Sequence, residues 1–393
     1  MSARCARSSF RLKPPLVSVV ITNYNYGRFL RDAAESVREQ TYAEIECIIV
    51  DDCSTDESAR VLDEIERDWP DVIIRRLETN AGQSAATLEG MSLAHGDYVL
   101  FLDSDDVLFP TCVAHHLAVH MSSRQAVGFT CCDAVQIVGE RMVVARNGNV
   151  SASFVRLPAR RRLTSPTALA TLALQGIDLP PIAPESVRHV PWTNTEWPWS
   201  TTSSMLFRRE ALDLVSGAAG LRSLRIATDN FLAHFINHLT GSLLIDAQLV
   251  GYRIHGNNGF NKRAALDGFI CHQRVDEHHQ TVRHVILNDL ITRFGHFSLN
   301  MTDPKRIFEI CAMLDEPDPE SWLPRWASHS HFARLLVEQR DHLEALVGRA
   351  TLAKWMIRAR VPLWRLWRRA ATREIEISEG TVKGSSREPM RWL

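Results

Sequence analysis

The chain has 393 residues, enough for two globular units, with 45% hydrophobic and 23% charged residues, a composition able to bury a sizeable core. A formal net charge of -1 excludes the global field expected of a nucleic-acid binder. Eight scattered cysteines with no Cys-x-x-Cys pair argue against a disulfide framework and against a cysteine zinc site, and no apolar run approaches the roughly 18 residues of a spanning helix.

The segment Met1–Pro15 carries Arg4, Arg7, Arg11 and Lys13. The run after it, Leu16–Ile21, is too short for a secretory core, so a cytoplasmic protein is expected. Leu16–Thr22 reads as a buried strand, with Asn23–Gly27 as its turn and a helix over Phe29–Gln40. Ile45–Val50 is a second strand, closed by Asp51-Asp52-Cys53-Ser54, and Thr55–Trp69 a second helix capped by Ser54 or Thr55. A third strand spans Val72–Leu77, and Asn80-Ala81-Gly82-Gln83-Ser84 opens a helix to about His95. Strand and helix alternate three times with short connections, which predicts an α/β, doubly wound, mostly parallel sheet. Ligands of such sheets bind outside the carboxyl ends of the strands.

The fourth strand, Tyr98–Leu102, is an apolar run that ends in Asp103-Ser104-Asp105-Asp106. Along an extended strand end Asp103 and Asp105 project to one side, which suits a hard divalent cation shared with a phosphorylated substrate; a solvated turn with Asp105 or Asp106 as a helix cap is the alternative. A phosphate charge about 4 Å from a carboxylate is repelled by roughly 4 kcal/mol at an effective dielectric of about 20, so the two coexist only around a cation.

Beyond Pro110 the pattern gives a helix to about Ser123 and a strand over Ala126–Val138. Residues 139–198, with seven prolines, read as an irregular excursion acting as a lid, in which Arg160-Arg161-Arg162 is a solvated face or a phosphate cradle. Trp192, Trp197 and Trp199 stack on an acceptor sugar or pack the excursion against the sheet. A strand over Ser203–Arg208, a helix from Arg209, a helix from about Asp229 and a strand over Leu243–Arg253 follow, and the remainder is helical. His272, His278 and His279 read as a polar helical face rather than a metal site. Arg349–Arg373 holds eight arginines or lysines, no acid, and Leu352, Trp355, Met356, Leu363, Trp364, Leu366 and Trp367. It reads either as peripheral membrane contact or as a helix packed on its own domain.

The blocks Ser18–Asn25, Ile49–Asp56, Asn80-Ala81-Gly82 and Leu102–Asp106, in this order, resemble glycosyltransferase family 2 over about the first 110 residues. The resemblance implies an inverting GT-A-type enzyme that moves a sugar from a nucleotide-diphosphate sugar, UDP foremost, to a glycan, lipid-linked or small-molecule acceptor in surface polysaccharide synthesis, with Mg²⁺ or Mn²⁺. It implies that Thr22, Tyr24, Asn25 and Asp52 hold the nucleobase, and that Asn80, Gly82 and Ser84 approach the ribose and diphosphate. Asp103, Ser104 and Asp105 would then form the aspartate-x-aspartate element, with Asp105, Asp106 and His255 at the metal and Asp51 structural. It also implies Asp229 as the base, although Thr228 replaces the family's preceding acid and Ala85-Ala86-Thr87-Leu88 lacks an arginine available to the donor.

The expected domains are a basic tail (1–15), a donor half (16–110), an acceptor half (111–262), a helical region (263–378) and a disordered tail (379–393). A catalytically silent glycan-binding or scaffold homologue and a nucleotidyltransferase are the other readings. No Gly-x-x-x-x-Gly-Lys-Ser/Thr, Gly-x-Gly-x-x-Gly, His-Glu-x-x-His or Gly-x-Ser-x-Gly motif occurs.

Overall fold

Short apolar runs alternating with helical periods produce β1 (Val17–Asn23), α1 (Gly27–Arg38), β2 (Ile45–Asp51), α2 (Ser58–Asp68), β3 (Ile73–Arg76), α3 (Gln83–Leu93) and β4 (Tyr98–Asp103). The computed structural model describes residues 12–145, 149–158, 163–174, 176–258, 276–301, 303, 305–315, 331–359 and 361. The four strands are parallel in the order β3-β2-β1-β4. The chain therefore moves one way from β1 to β3 and then crosses to the other side of β1. That crossing puts α1 and α2 together on one face, while α3 lies against β1 and β2. Gly90 makes the second packing possible, because a Cβ there would sit 2.2 Å from Val20 Cγ1.

The second helix starts later than its sequence suggests. Asp56, not Ser54 or Thr55, accepts the Ser58 N–H at 2.9 Å, and its other oxygen accepts the Gly27 N–H at 2.9 Å, so one carboxylate serves the starts of α2 and α1. Burial pushes the Asp56 carboxyl upward, but bonds from Ser58 and Gly27 outweigh it and hold the group below the usual carboxylate range. Asp56→Ala is expected to cost about 1–2 kcal/mol, read as a lower urea midpoint. Because the folded pKa is depressed, this stabilisation is present above the ordinary carboxylate pKa and disappears as pH falls through the depressed value.

After β5 (Val107–Leu108) and α4 (Cys112–Ser122) come β6 (Phe129–Val138), β7 (Arg141–Val144), α5 (Asn149–Arg156), α6 (Pro166–Ala173), β8 (Val187–Val190), β9 (Met205–Arg208), α7 (Arg209–Ser216), α8 (Thr228–Thr240) and β10 (Ser242–Arg253). One sheet of ten strands results, ordered β3-β2-β1-β4-β9-β6-β10-β5, with β7 on β6 and β8 on β10. The mostly parallel α/β expectation holds, and β9 is inserted antiparallel between β4 and β6. The excursion over 139–198 is more regular than expected: β7 and β8 pair into the sheet and α6 packs on α4. Arg160-Arg161-Arg162 lies outside the described residues.

Helices α9 (Asp276–Thr292), α10 (Phe294–Asn300) and α11 (Lys305–Leu314) belong to the same compact unit, which ends at Asp315. Phe235 of α8 meets Phe297 of α10 at 5.5 Å, and Arg293 donates to the Leu214 carbonyl at 3.0 Å. The contacts thus continue across the boundary expected at 263. The second unit starts at Glu316 and holds α12 (His331–Glu338), α13 (Arg340–Val347) and α14 (Arg349–Arg358). Leu352, Trp355 and Met356 of α14 are buried, and α14 contacts α12 and α13. This favours packing over membrane contact for the described part of the basic segment; 362–373 and the tail lie outside the described residues. Among the described residues no helix is long and apolar enough to cross a membrane.

Candidate active site

The switch in strand order at β1 and β4, which run parallel, opens a crevice at their carboxyl ends, where Thr22 pairs in register with Asp103 and Asn23 with Asp51. The Thr22 carbonyl accepts the Ser104 N–H at 3.2 Å, and the Asn23 carbonyl accepts the Asp52 N–H at 2.9 Å. The polar segments after β1, β2, β3 and β4 are thereby tied to one edge.

Asp52 sits at the end of β2 with both oxygens in use: the Ala81 and Gly82 N–H groups donate to them, each at 2.8 Å. These bonds shape the turn that opens α3. Gly82 has φ +90°, and a Cβ there would lie 2.9 Å from the Arg225 carbonyl, so the position needs glycine twice over. The same carbonyl accepts the Gln83 N–H at 2.9 Å, while the Arg225 guanidinium donates to the Asn80 side-chain oxygen. Arg225 is exposed on this rim. Nothing local in the sequence marks it, because its partners lie far back along the chain.

Several side chains expected at the nucleotide have other partners. Asn25, left-handed at φ 58°, accepts the Thr55 N–H at 2.7 Å and donates its own backbone N–H to Ser54 Oγ at 2.9 Å, so it braces the turn after β2. Ser84 is fully buried and shares a 2.6 Å hydrogen bond with Thr228, so it joins α3 to the start of α8. Asp51 accepts from Asn23 at 2.7 Å and from Ser54, the structural position expected for it. Thr22 lines the crevice half-buried, and Tyr24 stands at its rim with 46% of its surface exposed.

The acidic segment is a turn rather than an extended strand end. β4 stops at Asp103, and the Asp106 N–H donates back to the Asp103 carbonyl at 2.9 Å. Asp103 accepts Gln83 Nε2 at 3.1 Å, and its backbone N–H donates to Ser203 Oγ at 3.2 Å. Asp106, expected at the metal, is instead enclosed: one oxygen accepts Ser203 Oγ at 2.7 Å and the other the Arg253 N–H at 3.2 Å. Ser104 is buried in the same turn, and its hydroxyl has no hydrogen-bond partner.

Asp105 and His255 meet. His255 Nε2 is 3.0 Å from Asp105 Oδ2, and Asn258 reaches the same oxygen at 3.4 Å. The imidazole packs against both Tyr26 and Phe29, with ring centroids 5.2 and 4.8 Å away, and the His255 backbone N–H donates to Asn258 at 2.9 Å. Burial, then the charges of Asp105 and Asp103, push the Tyr26 hydroxyl up to about 12, so it stays a neutral donor, 3.1 Å from the Asn257 carbonyl.

Asp229 is the second residue of α8 and lies close enough to Asp103 to perturb it. Burial raises its carboxyl above the usual range, against a hydrogen bond from the Asn230 N–H at 2.7 Å. The residue as a whole is partly exposed, while its carboxyl lies in the interior. Ala227 before it is left-handed at φ 68°, a conformation costing a non-glycine residue about 1–2 kcal/mol. Thr228, standing where an acid was expected, is the buried partner of Ser84.

Burial, then Asp105 and Asp229, push Asp103 up to about 7, and burial with Asp105 and Asp103 also raises Asp106 well above the usual carboxylate range. Such crowding of carboxylates is costly unless a cation shares them. An oxygen-rich set with one imidazole suits a hard or borderline divalent ion, for which Asp105 and His255 offer donor atoms 3.0 Å apart. Asp106 lies behind that group, each of its oxygens accepting one hydrogen bond and keeping a further lone pair.

The tryptophans resolve differently from a sugar platform. Trp199 is fully buried, donates to Ser242 Oγ at 3.0 Å and packs on Phe129 at 5.5 Å. Trp197 meets Trp199 edge-on at 5.2 Å, and Arg306 lies over Trp192 at 4.7 Å.

Residues 18–168 match the family model described as "Glycosyl transferase family 2". An uncharacterized glycosyltransferase, alr2836, of Nostoc sp. is 28% identical over 280 residues, which cover 71% of this chain and 77% of that protein. Glycosyltransferase GlyG of Streptococcus pneumoniae is 39% identical over 93 residues, 24% of this chain but only 31% of GlyG. A crystal structure of S. aureus TarS 1-349 in complex with UDP is similar at a TM-score of 0.47 and 15% identity, covering 88% of this chain and 89% of that one.

Proposed function

Through residues 18–168 the chain belongs to glycosyl transferase family 2, and on that premise we propose that it is an inverting, metal-dependent transferase using a nucleotide-diphosphate sugar, UDP-linked foremost. The observation that carries the proposal is the meeting of Asp105 with His255 next to Asp103, with Asp229 close enough to act on the same carboxylate, at the carboxyl ends of β1 and β4. A scaffold has no need to crowd carboxylates until burial and mutual repulsion lift one to about 7.

In this reading Tyr24 and Thr22 flank the nucleobase, and Asp52, whose oxygens each keep a lone pair after accepting Ala81 and Gly82, accepts its imide N–H. Asn80 and Gly82 let the diphosphate approach the backbone. Manganese suits the imidazole of His255 better than magnesium does, and when bound it stabilises the leaving diphosphate. Asp229 takes the proton of the attacking hydroxyl; its raised pKa makes it a stronger base than an ordinary carboxylate. The acceptor is a sugar hydroxyl of a glycan, a lipid-linked saccharide or a small molecule, used at the cytoplasmic face in polysaccharide synthesis.

Arg225 supplies the positive charge that Ala85-Ala86-Thr87-Leu88 lacks. Its guanidinium, pinned by Asn80 at the mouth of the turn, faces the region assigned to the diphosphate. Arg225→Ala is expected to raise the donor KM roughly tenfold, about 1.4 kcal/mol, with kcat nearly unchanged, as for an exposed charge-assisted bond. Steady-state kinetics with the donor as variable substrate reads this split.

Nucleotide release measured across UDP-, GDP- and dTDP-sugars, with and without Mn²⁺, tests the whole reading. Manganese-dependent turnover of one donor class supports it. Tight binding of a glycan with no turnover of any donor would transfer the protein to the silent-homologue reading.

A further inference from the structure

We propose that Cys112, His116 and Cys132 form a second, buried metal site, separate from the carboxylate edge, for a thiophilic closed-shell cation, with zinc the first candidate. Cys112 begins α4 and His116 follows one turn later on the same face, while Cys132 comes from the middle of β6. The donor atoms of the three all lie within 4.8 Å of one another. Zinc held at about 2.3 Å from sulfur and about 2.0–2.1 Å from nitrogen needs only a small further closure of that triangle. All three residues have no exposed surface.

The imidazole is the decisive member. His116 Nδ1 is fixed by Thr130 Oγ1 at 2.6 Å, the kind of outer partner that orients a ligating histidine. Its other ring nitrogen, Nε2, is buried without a hydrogen-bond partner. The Cys132 sulfur interacts with this imidazole, and a weak S–H donor satisfies the nitrogen less well than a cation shared with both sulfurs. Soft sulfur donors select zinc or monovalent copper over the manganese proposed at the edge. The linear sequence, with no Cys-x-x-Cys pair, argues against a cysteine zinc site because the third donor arrives from a strand. The cation would pin α4 to β6, and enclosure of the site means that it is loaded as the chain folds.

The test uses the full chain, expressed with zinc and copper supplied, purified without chelator and dialysed free of manganese. Elemental analysis is expected to find one equivalent of zinc per chain, or of copper, which would keep the site and change its ion. Protein refolded with Co²⁺ should show a thiolate-to-cobalt charge-transfer band. Cys112→Ser and Cys132→Ser should lose both the metal and the band, while Asp105→Asn should keep them. Substoichiometric zinc and copper in the unmutated protein, with no cobalt band, would overturn the site whether or not the variants fold. Full metal in both serine variants would overturn it equally.

Discussion

Asp229→Asn is expected to lower kcat about 10²–10⁴-fold, roughly 3–5 kcal/mol in the barrier, while leaving the donor KM close to its original value. Asparagine preserves the volume and the bond from the Asn230 N–H, so α8 should start as before. What disappears is the acceptor for the hydroxyl proton. The pH profile gives an independent check. Asp229 works only when ionised, and burial raises its pKa, so activity should fall with decreasing pH above the ordinary carboxylate range. Near-normal sugar transfer by the variant, or an acid limb at an ordinary aspartate pKa, would remove Asp229 from the chemistry.

The second large effect is expected at Asp105. Asp105→Asn should reduce kcat/KM about 10³-fold, the order of several kcal/mol of charge stabilisation supplied through a metal, and should abolish tightening of UDP binding by Mn²⁺ in calorimetry. The metal-free variant should also melt at a higher temperature than the metal-free parent. The sign follows from Asp103, raised to about 7 by burial first and then by Asp105 and Asp229. A carboxyl whose folded pKa exceeds its unfolded value holds extra protons in the native state. Metal-free stability therefore declines as pH rises from about 4 to about 7, and removing the Asp105 charge eases that decline. Unchanged manganese dependence of UDP affinity in the variant would sink the assignment.

The parts of this architecture legible in sequence are those fixed by neighbours in the chain. β4 is an unbroken apolar run up to its terminal acid, β1 and β2 are apolar apart from Ser18 and Glu46 near their starts and the polar residues that close them, and α1 and α8 follow helical periods. The gathering of strand ends follows from parallel topology alone. Other features depend on partners far away. β5 is two residues long and exists through pairing with β10, and β8 is a strand because β10 lies beside it. Arg225 reaches Asn80 across the crevice, and Asp106 is closed in by Ser203 and Arg253, contacts with no local signature. Asn25 and Ser84 show the opposite hazard, since both stand at positions that suggest ligand contact and both are spent on holding turns and helices together.

The placement of β9 has a consequence for biogenesis. Residues up to 110 look like a unit, yet β4 ends that segment with its outer row of amides and carbonyls bare until Met205–Arg208 arrives to pair with it. A chain emerging from the ribosome carries this raw seam through the whole interval. Fragments cut at the apparent domain boundary inherit it permanently, and an open strand edge is a template for self-association. The first 110 residues are thus unsuited to life as a free-standing piece, and the late strand acts as the clasp that makes them safe.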